Sequence, residues 1–116
     1  MTIQYKNQGY KQADTNLNTV LTCPTDATVI VRSIYVANND ASSAILVNMN
    51  LVDSSDSNTE YEFFRDDVAA KTQVNASPQP INLEAGDKIK IQAATASNKI
   101  QGVISYALID RSQENG

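Results

Sequence analysis

Few side chains in this sequence could do chemistry, and they are scattered. Cys23 is the single cysteine and the chain has no His. A thiolate without an imidazole lacks its usual base, a lone thiol cannot close an internal disulfide, and a His-ligated metal is excluded. Cys23 ends the run Leu17 to Cys23, in which Leu17, Thr19, Leu21 and Cys23 share one face by the period of two, just before Pro24. It reads as a small buried hydrophobe. Paired carboxylates occur at Asp66-Asp67 and at Glu60 and Glu62. General acid–base work needs one carboxyl raised by burial, and these positions read as a turn and a solvated strand face.

The loop Asp53-Ser54-Ser55-Asp56-Ser57-Asn58-Thr59-Glu60 gathers oxygen donors suited to a hard cation. Ser55 stands where an EF-hand loop wants a ligand, and no Gly follows, so a solvated hairpin loop is the better reading. The four glycines, Gly9, Gly86, Gly102 and Gly116, are isolated from one another and form no phosphate cradle. Asn75-Ala76-Ser77 has the form of a glycosylation acceptor, but Pro78 follows it. The expectation is no catalytic residue, no metal site and no cofactor.

What must position these residues is one core, because 116 residues make one ordinary domain. Hydrophobic residues are 41 % of the chain, enough to fold. The net charge of −4 gives no basic footprint for nucleic acid and disfavours anionic membranes. No apolar run exceeds four residues, as at Ala44 to Val47, where a spanning helix needs roughly 20. The polar start, MTIQYKNQGYKQADTN, lacks the apolar stretch of a secretory signal, so folding in a cytoplasm is expected.

Short β-rich runs separated by turn chemistry predict an all-β, single antiparallel β-sandwich of about seven or eight strands, jelly-roll or immunoglobulin-like. Thr28 to Asn38 is too densely β-branched for a helix and long enough to bend near Arg32 and Ser33. Asn38 to Ser43 is a turn. Ile45, Val47, Met49 and Leu51 share one face, and Thr59 to Arg65 returns against them as a hairpin. Val68 to Val74 suits a helical turn as well as a strand. Glu84-Ala85-Gly86-Asp87 reads as a hairpin turn with Gly86 at positive φ, followed by Ile89, Ile91 and Ala93 facing inward. Ile100 to Asp110 is apolar on both sides and reads as a central strand. Tyr35, Tyr61 and Tyr106 lie on strands where burial is expected.

Ahead of this domain, assigned to residues 15–112, residues 1–14 read as an amino-terminal arm or edge strand; residues 113–116 are a polar tail. Ile3, Tyr5 and Tyr10 stand among polar residues there. An arm carrying aromatic anchors, or an edge strand open to pairing, makes these three the candidate partner interface.

The order Pro24-x-x-Ala27-Thr28-Val29-Ile30-Val31-Arg32-Ser33-Ile34-Tyr35-Val36-Ala37-Asn38, then Leu51-Val52-Asp53, then Leu83-Glu84-Ala85-Gly86-Asp87-Lys88-Ile89-Lys90-Ile91-Gln92-Ala93, resembles small β-sandwich virion proteins of tailed bacteriophages. The resemblance spans residues 15 to 110 and leaves out the tyrosine-containing arm. It implies a non-enzymatic particle component located in the virion and assembled in the host cytoplasm. Capsid decoration on the exterior is the leading expectation, and a tail, neck or fibre module the second. Partners would be a major capsid protein or tail proteins and further copies of the chain, with a trimer the first expectation; no nucleic acid or membrane partner is implied. A carbohydrate- or receptor-binding module is the reading from another class, disfavoured because the chain has no Trp.

Overall fold

The computed structural model describes residues 2–112. Nine strands follow in order: β1 (Thr2–Lys11), β2 (Asn18–Thr22), β3 (Ala27–Asn38), β4 (Ile45–Asp53), β5 (Thr59–Val68), β6 (Gln73–Asn75), β7 (Ile81–Leu83), β8 (Lys88–Ala93) and β9 (Ile100–Asp110), with one short 3-10 turn at Ser54–Asp56. They form an all-β sandwich of two antiparallel sheets. One sheet runs β1-β9-β3-β6, with β7 also on β3, and the other runs β2-β8-β4-β5.

Counting β6 and β7 as one interrupted strand gives eight strands, four to a sheet. Successive strands step from sheet to sheet except at β4–β5 and β6–β7. That winding is the double Greek key of a jelly roll, which decides between the two sandwich topologies left open by the sequence. The expected seven or eight strands become nine because β1 is a full strand and the ambiguous stretch after Val68 supplies β6.

Period-two alternation builds the core. Val29, Val31, Ile34 and Val36 of β3 face Ile89, Ile91, Ile45, Val47 and Met49 of the other sheet, with Ile100 and Ile104 from β9. Each such side chain removed from water contributes on the order of 1.5–3 kcal/mol. The bend expected near Arg32 is a register shift between Val31 and Ser33 against β9, which lets buried positions change from odd to even numbers within one strand. A second shift, between Met49 and Asn50 against β5, places Phe63 and Phe64 consecutively and half-buries both.

The LEAGD segment requires a correction. Gly86 has the expected positive φ of 83°, but the turn does not close a hairpin. β7 pairs with β3 in one sheet and β8 with β2 and β4 in the other, so Glu84 to Asp87 is a corner between sheets. Asp87 holds it. Its Oδ1 accepts from the Ser54 N–H (2.9 Å) and Ser54 Oγ (3.0 Å), and its Oδ2 from the Glu84 N–H (2.9 Å). A buried carboxylate with three donors locks corner and neighbouring loop together.

Candidate functional site

The residues singled out for chemistry serve the fold. Cys23 is buried, with its Sγ 3.4 Å from the Ala27 carbonyl oxygen and 3.5 Å from that of Leu83, and burial pushes its thiol pKa up. Thiolate chemistry is thereby suppressed. In the oxygen-rich loop, Asp53 Oδ1 caps the 3-10 turn by accepting from the Ser55 N–H (3.1 Å), Asp56 accepts from the Tyr61 hydroxyl (2.7 Å), and Glu60 from the Asn50 amide (3.0 Å). Among the described residues no cluster of three metal-ligating side chains occurs, and no helix is long and apolar enough to cross a membrane. Asp66 and Asp67 are exposed on β5, and Asn75 Oδ1 accepts from the Ile34 N–H (3.0 Å), tying β6 to β3.

The remaining candidate is the amino-terminal segment with the sheet it edges. β1 pairs with β9 over its whole length, Thr2 opposite Asp110 to Lys11 opposite Gln101, without a shift. Gln12 continues this register and its N–H donates to the Ile100 carbonyl (2.8 Å). Even-numbered residues of β1 therefore turn their N–H and C=O groups toward β9, and Ile3, Tyr5, Asn7, Gly9 and Lys11 turn theirs outward. That edge is open.

Side chains alternate in the same way. Tyr10 and Gln12 point inward and are buried, whereas Ile3, Tyr5, Asn7 and Gly9 lie on the sheet's outer face. Two cross-strand rows on that face are apolar: Tyr5–Ala107–Ile30, and Gly9–Val103–Tyr35. Ile3 is 52 % exposed, Tyr5 75 %, Tyr35 47 % and Val103 40 %. Arg32, at the bend in β3, lies 5.2 Å from the Tyr5 ring centroid and holds it by a cation–π contact.

Of the three sequence candidates, Ile3 and Tyr5 share the exposed outer face; Tyr10 does not. It is 8 % exposed on the inner face, and its hydroxyl donates to the Tyr35 carbonyl (2.7 Å) across β9. Tyr10 fastens the strand that presents the other two. Sequence reasoning placed Tyr35 and Tyr61 inside, but both are exposed, and only Tyr106 of that trio is buried. The signal for Tyr35 lay in the bend: counting alternation back from Asn38 makes Val36 and Ile34 inward and Tyr35 outward.

No family model and no curated protein matches the sequence. Solved structures share the fold. A chain of the Bacillus endospore appendages, a novel family of disulfide-linked pili, superposes with a TM-score of 0.51 at 11 % identity, over 95 % of this chain and 88 % of that one. A chain of the T13 IBDV viral particle gives a TM-score of 0.53 at 7 % identity, over 94 % of this chain. This chain spans only 31 % of that longer one. The likeness is one of fold.

Proposed function

We propose that this protein is a non-enzymatic structural component of a bacteriophage particle, with decoration of the capsid exterior as its place and Ile3 and Tyr5 in its partner interface. The observation that carries the reading is a jelly-roll sandwich whose polar clusters are committed to internal hydrogen bonds while one long strand edge and two apolar rows on the outer face beside it stay open. Association, not turnover, is what such a surface offers. Fold likeness to a chain of a viral particle and a chain of a pilus supports a part that works in many copies. A tail, neck or fibre position is the second reading, since an open strand edge accepts a neighbouring strand wherever in the particle it is offered.

The test is co-sedimentation with undecorated phage particles. Saturable binding, weakened by Tyr5→Ala, is the expected result. Failure of the folded protein to associate with heads, combined with binding to tails, would transfer the assignment to the second reading; association with neither would end both.

A further inference from the structure

Four strand edges exist in this sandwich, and three are guarded. β6 and β7 are three residues each, and β2 is five residues with a register shift. β5 has ten residues, but it carries Glu60, Glu62, Asp66 and Asp67 and is broken by the shift opposite Met49. Short length, charge and bulges are the devices that keep edges from pairing. β1 is the least guarded: its ten residues run without a shift and contain no Pro, and its charges are limited to Lys6 and Lys11.

We infer that β1 is a homodimerisation edge, pairing antiparallel with β1 of a second copy about a two-fold axis at Asn7. This deepens the proposed function by naming the partner of that edge. A two-fold contact uses one surface twice, so a chain with one open edge can satisfy it; a trimer joined through strand edges would require a second, different open edge that the described sandwich lacks.

The register follows from the side chains. With Asn7 opposite Asn7 of the partner copy, Tyr5 stands opposite Gly9, Ile3 opposite Lys11 and Lys6 opposite Gln8. About ten backbone hydrogen bonds then close between the outward groups of Ile3, Tyr5, Asn7, Gly9 and Lys11 of the two copies. Moving the axis by one residue, to Lys6, sets two ammonium groups directly opposite each other, which is repulsive. Moving it to Tyr5 leaves Lys11 beyond the ladder and shortens it.

Gly9 leaves room for a side chain from the second copy. A Cβ at Gly9 would meet nothing nearer than the Gly102 carbonyl oxygen at 3.9 Å, so the strand has an empty place on its outer face beside exposed Val103 and Tyr35. A tyrosine ring directly opposite a strand glycine covers it and packs beyond it. Tyr5 of one copy supplies that ring to the row Gly9–Val103–Tyr35 of the other, and Arg32 already holds Tyr5 in place.

Sedimentation equilibrium of the full chain from micromolar to millimolar concentration, together with oxidative cross-linking, tests this. The wild type is expected to approach twice the chain mass. Asn7→Pro removes an outward N–H without touching the β9 ladder and is expected to be monomeric with unchanged circular dichroism and melting. Asn7→Cys, with buried Cys23 left in place as an internal control, is expected to form a covalent dimer on mild oxidation, because facing residues of a hydrogen-bonded pair lie about 5.5 Å apart at Cα. Tyr5→Cys, displaced from the axis, is expected not to. A wild type that stays monomeric, that forms trimers or filaments, or whose dimer survives Asn7→Pro overturns the inference. Should Asn7→Pro fail to fold, the Asn7→Cys result decides alone: a covalent dimer supports the two-fold and its absence overturns it. Particle binding is read separately, so a dimer that binds no particle refutes only the proposed function, and a particle-binding monomer refutes only the dimer.

Discussion

The Tyr10 hydroxyl reaches across β9 to donate a 2.7 Å hydrogen bond to the Tyr35 carbonyl oxygen on β3, and Gly102 is the residue it passes over. A Cβ on Gly102 would overlap the Tyr35 carbonyl oxygen and stand 2.6 Å from Tyr10 Oη. Three strands are thus clasped at a point where only glycine fits. Gly102→Ala is expected to lower stability by about 3 kcal/mol, at the upper end of overpacking effects, in urea denaturation. Gly9→Ala, in open space on the same sheet, is expected to stay within about 0.5 kcal/mol of wild type.

Alkaline pH tests the same clasp. Burial pushes the Tyr10 phenol pKa well above its ordinary value. The unfolded chain then releases the proton first, so stability is complete below the unfolded Tyr value near 10 and falls as pH rises above it. Tyr10→Phe is expected to lose about 1 kcal/mol at neutral pH with the hydrogen bond, and to show a shallower fall above roughly pH 10. The Cys23 thiol, also raised by burial, begins its own contribution at lower pH, and Cys23→Ala separates the two.

Asp87 makes a prediction about the corner between sheets. Asp87→Ala strands the N–H groups of Ser54 and Glu84, and a loss of about 3 kcal/mol is expected from thermal melting. Asp87→Asn is expected to cost less, since its amide oxygen still accepts from Ser54.

Tyr5 separates assembly from folding. With its ring mostly in solvent, Tyr5→Ala is expected to reduce stability by only about 0.5–1 kcal/mol, the value of an exposed cation–π contact with Arg32. Its association is expected to be lost.

The sequence carried the local features well and the long-range ones poorly. The bend at Arg32, the inward Ile89, Ile91 and Ala93, and the positive φ of Gly86 follow from alternation and turn chemistry within a few residues. The LEAGD turn was misread because its residues fix a reversal but not which strand Ile81 to Leu83 then meets; Val29 to Val31 provide that ladder from fifty or more positions away. The jelly-roll order depends throughout on such distant pairings. In the candidate site, Ile3 and Tyr5 were legible as aromatic and aliphatic residues out of place in a polar segment. The inward turn of Tyr10 was not, because its partner is a backbone carbonyl on β3 that no side-chain pattern announces.

Residue-resolved amide hydrogen exchange reads directly whether β1 is a docked strand with an open edge that assembly covers. In the dilute chain, Gln4, Lys6, Gln8 and Tyr10 are expected to be protected while Tyr5, Asn7, Gly9 and Lys11 exchange freely; in the assembled state all eight are expected to be slow. Fast exchange along the whole of β1, or odd-numbered amides that stay unprotected after assembly, would be incompatible with a docked strand whose open edge assembly covers.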